Sequence, residues 1–307
     1  MFLNTITLEV SCSVRYNKDN FNRYGEKNMK NKKSLKVFII ILSVIILSLA
    51  VISVPSKLMP TVKSSMSFTL KGENAPKLAA HRGLSSLYPQ NTVPAIEQAA
   101  EHGFWGFEID IHTTKDGEWV VIHNDTVDDM TDGTGAVSSF TLGEIKKLSI
   151  DNGNGIKDYP DLRIPTLKEA LAVCESSDIV PIIEVKECDT QYFPVLAKLL
   201  KTEKLDKKAV IISFEKEYLE KLRPLLPETE MMFLVHAPTK ENIDFCLKNG
   251  NTGIDYNHKD LYKSISALRY AKENGVKIGA WTVDNPLYAD FAVHFGAELI
   301  TTNKILP

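Results

Sequence analysis

Short runs of β-branched and apolar residues alternate with helical patterns along the chain after residue 76, and this alternation limits the fold to a few classes. The predicted strands are residues 77–81, 106–110, 180–185, 209–214, 231–235, 253–257, 277–283 and 298–301. Helical patterns lie between most of them, at residues 191–201, 218–225, 242–249 and 263–274. Alternating strands and helices form parallel sheets with helical crossovers. Eight strands over about 230 residues predict an α/β fold, a (β/α)8 TIM barrel. A doubly wound open sheet is disfavoured because no GxGxxG turn follows the first strand.

A ninth apolar run, residues 119–123, begins too soon after the second strand to be the next strand of the barrel. A parallel crossover needs about a dozen residues or more. Asp116-Gly117 is a two-residue hairpin signal, and a turn at this dipeptide places Asp110 opposite His123. We therefore predict an antiparallel return strand and an insertion at about residues 111–165, which covers the mouth of the barrel.

Three carboxylates lie at the ends of two predicted strands. Glu108 and Asp110 are two residues apart and share one face of their strand, and Glu184 follows a strongly apolar run. A solvent-exposed pair is the alternative, but Ile109 and Ile111 occupy the opposite face, which favours carboxylates that point into the barrel. Buried carboxylates need a compensating cation or hydrogen-bond donors. Because oxygen ligands suit hard cations, this group predicts a site for Mg²⁺ or Ca²⁺.

Two histidines and two cationic side chains accompany these acids. His81 closes the first strand and precedes Arg82, and the hairpin brings His123 to the same end of the barrel. A single histidine at a strand end is more often structural. Two imidazoles beside a group of metal-binding carboxylates can instead act as the general acid and the general base. Arg82 suits a bidentate phosphate contact, and Lys186 adds positive charge. These residue types predict an anionic, oxygen-rich substrate, most simply a phosphodiester.

The same residues belong to an ordered series of short motifs. The series is His81-Arg82-Gly83, Pro89-Gln90-Asn91-Thr92, Glu108-Ile109-Asp110, Thr114-Lys115-Asp116-Gly117, Val120-Val121-Ile122-His123, Ile164-Pro165-Thr166-Leu167, Ile183-Glu184-Val185-Lys186 and Ala280-Trp281-Thr282-Val283. From about residue 77 to residue 303, the order resembles that of the glycerophosphodiester phosphodiesterases. The related phosphatidylinositol phospholipases have a similar arrangement of active-site residues, but the motifs around Glu184 and Trp281 favour the glycerophosphodiesterases.

This resemblance implies a TIM barrel and a divalent metal held by Glu108, Asp110 and Glu184. It also implies acid and base roles for His81 and His123. The expected reaction is the hydrolysis of glycerophosphodiesters to an alcohol and glycerol 3-phosphate, in the breakdown of phospholipids or glycerol-phosphate polymers. A lysophospholipid is the alternative substrate.

Arg82, Lys186 and Trp281 are the expected substrate-binding residues, although a tryptophan in the core is an alternative for Trp281. The family usually carries Glu at the position of Gln90, and an amide oxygen can still ligate or accept a hydrogen bond there. Arg is common in the family where this chain has Asp129, and Asp is common where it has Asn303. A catalytically silent binding barrel is the alternative that these departures raise.

An uncharged apolar run at residues 37–54 follows a group of lysines, namely Lys30, Lys32, Lys33 and Lys36. A helix of this length nearly spans the hydrocarbon layer, and the lysines favour a cytoplasmic N-terminus. We predict a basic cytoplasmic segment at 1–36, a single transmembrane helix at 37–54, a linker at 55–76 and an extracytoplasmic catalytic domain at 77–307. A cleaved signal peptide, which gives a secreted enzyme, is the alternative, although its apolar core usually spans only about 7–15 residues.

Composition excludes other classes of function. The net charge is −3, and no basic stripe with interleaved aromatic residues is present, so nucleic acid is not an expected partner. The four cysteines, at positions 12, 174, 188 and 246, have no CxxC spacing. They indicate neither a zinc site nor a disulfide framework.

Overall fold

The computed structural model describes residues 75–304, and a closed barrel of eight parallel strands forms its centre. The nine strands are β1 Lys77–His81, β2 Gly106–Thr113, β3 Trp119–Val121, β4 Val180–Val185, β5 Val210–Ser213, β6 Glu230–Val235, β7 Thr252–Asn257, β8 Ile278–Trp281 and β9 Ala297–Thr302. The barrel order is β1-β2-β4-β5-β6-β7-β8-β9, and β1 pairs with both β9 and β2. The predicted TIM barrel is confirmed.

Helices follow most of the barrel strands. They are α1 Val93–Glu101, α2 Leu142–Ile145, α3 Leu167–Leu171, α4 Val173–Ser176, α5 Phe193–Thr202, α6 Lys216–Leu222, α7 Lys240–Asn249, α8 Leu261–Glu273 and α9 Pro286–His294. Local sequence accounts for helix starts such as those of α3 and α9. A capping box of Thr166 and Glu169 precedes α3, and α9 begins at Pro286 directly after its N-cap residue Asn285. The predicted helices are present, and their boundaries differ from the predicted ones by only a few residues.

The two faces of each barrel strand have different partners. Ile109 and Ile111 on β2 belong to the large core cluster between the strands and the helices. Ile182 and Val210 belong to a second cluster that fills the barrel interior. Each such aliphatic side chain stabilises the fold by about 1.5–3 kcal/mol when fully buried. Because side chains alternate along a strand, Glu184 continues the interior row of Ile182, which supports the predicted inward orientation of the acids.

The predicted hairpin is present, but its register was wrong by one residue. β2 and β3 are antiparallel, and Thr113 pairs with Trp119. Asp110 therefore lies opposite Ile122, whose backbone N–H donates to the Asp110 carbonyl at 3.0 Å, and His123 lies one residue beyond this pair. The cause is a three-residue loop: Gly117 adopts φ +82, the left-handed conformation that lets a third residue enter the turn.

The predicted insertion, at about residues 111–165, includes β3 and has a small apolar core of its own. This core contains Val120, Ile122, Val127, Met130, Val137, Ile145, Ile150 and Ile164. The insertion contacts the loop after β1, since the Asn154 side chain donates to the Ser85 carbonyl at 2.8 Å. Gln90 also donates to the sulfur of Met130 at 3.2 Å. These contacts hold the insertion at the carboxyl end of the barrel.

The predicted N-terminal segments, 1–36 and 37–54, lie outside the described residues, as does the linker up to residue 74. Within residues 75–304, no helix combines the length and the apolar character needed to cross a bilayer.

Candidate active site

Three carboxylates converge inside the carboxyl end of the barrel. The parallel register aligns Asp110 on β2 with Glu184 on β4, and it aligns His81 on β1 with Glu108 on β2. One oxygen from each of Glu108, Asp110 and Glu184 lies within 4.8 Å of the others. The three residues are only 2%, 1% and 9% exposed. The acids that were predicted from two separate strands therefore form one buried cluster.

The electrostatics of this cluster suit a cation. Burial, followed by the charge of Asp110, raises the pKa of Glu108 well above its usual value and that of Glu184 to about 7. Burial also opposes ionisation of Asp110, but Lys186 and Arg82 outweigh it and lower the Asp110 pKa. Glu108 Oε1 is buried without a hydrogen-bond partner among the described residues. Buried oxygens without donors fit a bound divalent ion, and an all-oxygen donor set fits a hard one.

Two cationic side chains flank the acids. Lys186 Nζ lies 2.8 Å from Glu184 Oε1 and 3.3 Å from Asp110 Oδ1. Burial lowers the pKa of Lys186, but Asp110 and Glu184 outweigh this effect, so its pKa is raised and it stays charged. Arg82 Nε lies 3.4 Å from Asp110 Oδ2, and the Arg82 backbone N–H donates to Glu108 Oε2 at 2.9 Å. Two cations beside three acids leave a site that attracts both a metal ion and an anionic substrate.

Asn91 fixes the orientation of Asp110, a role that sequence reasoning missed. Its side chain donates to Asp110 Oδ2 at 2.8 Å and accepts from the Asp110 backbone N–H at 3.1 Å. Asn91 and Arg82 both adopt left-handed backbone conformations, at φ +57 and +58. Asparagine tolerates this conformation better than most residues, whereas arginine there is a strained exception. The only available signal was the position of Asn91 in the Pro89–Thr92 motif.

Gln90 lies beside Arg82 rather than within the carboxylate cluster. Its Oε1 accepts a hydrogen bond from Arg82 Nη1 at 2.7 Å. The amide therefore holds the guanidinium that also approaches Asp110. A glutamate at this position would add a negative charge against Arg82.

The two histidines have similar surroundings. His81 Nε2 lies 3.9 Å from Glu108 Oε2, and its Nδ1 is 2.7 Å from the Asn303 side-chain oxygen. His123 Nδ1 lies 2.6 Å from the side-chain oxygen of Asn124. In both cases an amide oxygen accepts from Nδ1–H, so Nε2 is free to accept a proton. Burial, followed by Arg82, lowers the pKa of His81 to about 4, and burial also lowers that of His123.

Both amides are oriented by an acid. Asn303 donates from its side chain and from its backbone to Asp284, each at 2.8 Å. The Asn124 amide donates to Asp129. Asn303 and Asp129, two positions that depart from the family pattern, therefore each belong to a chain of hydrogen bonds that runs from an acid through an amide to a histidine. Sequence reasoning recorded both as departures and did not assign them these contacts.

A cavity of about 250 Å³ joins these groups to an apolar wall. Trp281, Phe214 and Leu234 contribute to this wall, and the Trp281 ring packs edge-on against Phe214 with centroids 5.6 Å apart. Trp281 Nε1 donates to the Asp255 backbone carbonyl at 3.2 Å. Trp281 thus lines the pocket and also holds β7 in place.

Asp255 lies in the same cavity, although sequence reasoning did not select it. It is 1% exposed, and its Oδ1 has no hydrogen-bond partner among residues 75–304. Burial, followed by the charge of Glu184, raises its pKa to about 8. An acid in the middle of the predicted strand at residues 253–257 was the available signal.

The cavity thus brings together the predicted histidines, cations, acids and tryptophan: His81, Arg82, Glu108, His123, Glu184, Lys186 and Trp281 line it, and Asp110 contacts Arg82 and Lys186. A closed parallel barrel with a carboxylate cluster, paired imidazoles and cations at its carboxyl end defines a class of barrel hydrolases that act on anionic substrates.

Comparison with known proteins identifies the family within this class. The sequence model of the Glycerophosphoryl diester phosphodiesterase family matches residues 81–306, so the chain belongs to that family of phosphoric diester hydrolases. A glycerophosphodiester phosphodiesterase from Caldanaerobacter subterraneus is 34% identical over 228 residues, which are 73% of this chain and 92% of the relative.

Solved structures show the same architecture. A glycerophosphodiester phosphodiesterase from Parabacteroides distasonis is 28% identical, with a TM-score of 0.64 over 74% of this chain and 92% of the other. A phosphodiesterase from Oleispira antarctica, solved in complex with the product sn-glycerol-3-phosphate, has a TM-score of 0.67 at 24% identity over 74% and 93% of the two chains. The latter shows the shared fold.

Proposed function

We propose that this chain hydrolyses glycerophosphodiesters to an alcohol and glycerol 3-phosphate, with His81 and His123 as the proton-transfer groups. The observation that carries the proposal is a single cavity in which both imidazoles face a buried carboxylate cluster. Phospholipid headgroup diesters and glycerol-phosphate polymers both contain the required bond.

Glu108, Asp110 and Glu184 would hold the divalent cation, Mg²⁺ or Ca²⁺. Their all-oxygen donor set and the unpartnered Glu108 Oε1 support this assignment. When bound, the ion supplies Lewis acidity that lowers the pKa of a glycerol hydroxyl and stabilises charge on the phosphate. Arg82 and Lys186 would contact the remaining phosphate oxygens, for which a guanidinium fork and an ammonium are suited.

The histidines carry the protons. One histidine takes the proton from the glycerol hydroxyl next to the phosphate, and that oxygen attacks phosphorus as the bond to the alcohol breaks. The other histidine donates a proton to the departing alcohol oxygen. A cyclic phosphate is formed, and water opens it by the reverse sequence of proton transfers. Because Asn303 and Asn124 both engage Nδ1, the Nε2 atoms are the ones that exchange protons.

The test is hydrolysis of glycerophosphocholine by the purified full chain, with release of glycerol 3-phosphate as the readout. Excess EDTA should abolish turnover, and Mg²⁺ or Ca²⁺ should restore it. Undiminished turnover in chelator would refute the metal assignment, and the absence of turnover with either ion would refute the substrate class.

Lysophospholipids are the second candidate substrate. Phe214 is 40% exposed and continues the apolar wall of Trp281 outward, where an acyl chain could pack. Hydrolysis of lysophosphatidylcholine, measured as the release of choline, separates the two classes.

We also propose that residues 37–54 anchor the enzyme in the cell membrane with the barrel on the extracytoplasmic side. Support comes from the uncharged apolar run and from the lysines before it.

A further inference from the structure

The cavity contains one buried acid that the proposed reaction does not use. Asp255 lies on β7, is 1% exposed and lines the cavity together with Glu184 and Trp281. Its Oδ1 has no hydrogen-bond partner within residues 75–304, and the carboxylate cluster comprises Glu108, Asp110 and Glu184 without it. A buried polar atom without a partner is costly, and one that lines a cavity can gain a partner from a ligand bound there.

The position of Asp255 in the barrel indicates which part of the substrate it meets. In the circular strand order, β7 lies four strands from β2 in either direction, so Asp255 faces the strand of Glu108 and Asp110 across the interior. A phosphate held at the acids and cations would therefore direct one of its two ester groups toward β7. The alcohol group varies in size among diesters, so it needs the open mouth of the barrel. The glycerol group is small and constant, so it fits the enclosed end.

The backbone around Asp255 preserves this position. Trp281 Nε1 donates to the Asp255 carbonyl at 3.2 Å and fixes the strand at this point. On the neighbouring strand β8, a Cβ added to Gly279 would lie 2.7 Å from Asp255 Oδ1. The carboxyl group therefore occupies space that only a glycine leaves free.

We propose that Asp255 binds the terminal hydroxyl of the glycerol group, the one remote from the phosphate, and thereby selects glycerophosphodiesters over lysophospholipids. A carboxyl group can hydrogen-bond to a hydroxyl in either protonation state. A 1-acyl lysophospholipid carries an ester at that position, which cannot donate a hydrogen bond and would need room beside Gly279. This inference rests on the proposed function and specifies its substrate class.

The experiment compares three substrates of the full-length enzyme: glycerophosphocholine, 2-hydroxypropyl phosphocholine and 1-hexanoyl-lysophosphatidylcholine below its micelle-forming concentration. The second keeps the hydroxyl next to the phosphate and lacks only the terminal one. For the unmodified enzyme, kcat/KM should be about 10- to 100-fold higher for glycerophosphocholine than for the other two, the range expected when a buried polar group loses its partner.

Asp255→Leu should reduce the preference for glycerophosphocholine, which is the ratio of its kcat/KM to that for 2-hydroxypropyl phosphocholine, to near one. The change should come from a higher KM for glycerophosphocholine at similar kcat, because a hydroxyl remote from the reacting bond binds equally in the ground state and the transition state. Asp255→Asn should retain part of the preference. Gly279→Ala, which displaces the carboxyl group without removing it, should also weaken the preference. Asp290→Asn is the matched control, since Asp290 Oδ1 is likewise buried without a partner among the described residues but does not line the cavity; its preference should be unchanged.

A preference near one in the unmodified enzyme would overturn the role of Asp255, even if Asp255→Leu does not fold. Equal losses of kcat/KM on glycerophosphocholine and 2-hydroxypropyl phosphocholine in Asp255→Leu would indicate a structural role and would also overturn the role of Asp255. If the unmodified enzyme hydrolyses none of the three substrates, the proposed function itself fails. The two failures are therefore distinguishable.

Discussion

Replacement of Asn91 separates hydrogen bonding from backbone strain at the centre of the site. The Asn91 side chain donates to the Asp110 carboxylate at 2.8 Å and accepts from the Asp110 backbone at 3.1 Å. A hydrogen bond to a charged group contributes about 1.5–3 kcal/mol and a neutral one about 0.5–1.5 kcal/mol. Asn91→Gly, which keeps the left-handed backbone without strain, should therefore lower the free energy of unfolding by about 2–4 kcal/mol.

Asn91→Ala loses the same two hydrogen bonds and also places a Cβ at φ +57. The left-handed conformation costs a residue with a Cβ about 1–2 kcal/mol. Alanine should thus be less stable than glycine by this amount, the reverse of the order that helix or strand interiors give.

The assay is urea denaturation of the chelator-treated protein, with metal binding measured by calorimetry on the same variants. Both variants should bind Mg²⁺ or Ca²⁺ more weakly, because Asp110 loses its orienting partner. Asn154→Ala is the control, since this exposed asparagine of the insertion donates to the Ser85 carbonyl and does not contact the carboxylates. Two outcomes would refute the reasoning: a loss below about 1 kcal/mol for Asn91→Gly, or alanine at least as stable as glycine.

Three further predictions concern the proton-transfer groups, the acids and the membrane. His81→Ala and His123→Ala should each lower kcat by about 10²–10⁴-fold, and their losses should be non-additive. His102 is exposed, so His102→Ala should stay active. Near-full activity of His81→Ala or His123→Ala would contradict the proton-transfer role of that histidine. In chelator, the free energy of unfolding should fall as the pH rises from 4.5, the usual pKa of Glu184, toward about 7, because the raised pKa means that the folded protein binds more protons than the unfolded one. Glu184→Gln should flatten this decline, measured by denaturation at each pH. An identical slope in both proteins would count against the raised pKa of Glu184. Protease added to intact cells should digest residues 77–307, and protection until lysis would exclude the extracytoplasmic placement.

His112 on β2 has a contact with the segment that carries His123. Its Nε2 lies 3.2 Å from the His123 carbonyl. A polar contact to the backbone of His123 helps to hold the segment after β3, where the hairpin register was wrong by one residue. For this reason His102 is the better control histidine.

The sequence alone was enough to predict the barrel and those site residues that a local pattern along one strand or turn identifies. Alternation of period two along a strand is a local property, so it identified Glu108, Asp110 and Glu184 as inward-facing acids at strand ends. The hairpin was recognisable for the same reason, since Asp116-Gly117 is a local signal. Its register was not, because the dipeptide is compatible with both a two-residue and a three-residue loop.

Only the tertiary structure decided how distant strands meet. His81 contacts Asn303 across 222 positions of sequence, and Asp255 reaches the cavity from the strand opposite β2. Both placements depend on the closure of the barrel and on the register of each pair of parallel strands. Closure and register together set the position of each interior side chain along the barrel axis and the direction in which it points. No local pattern encodes that register, so the partners of the histidines and the buried acid on β7 emerge only when the barrel is closed.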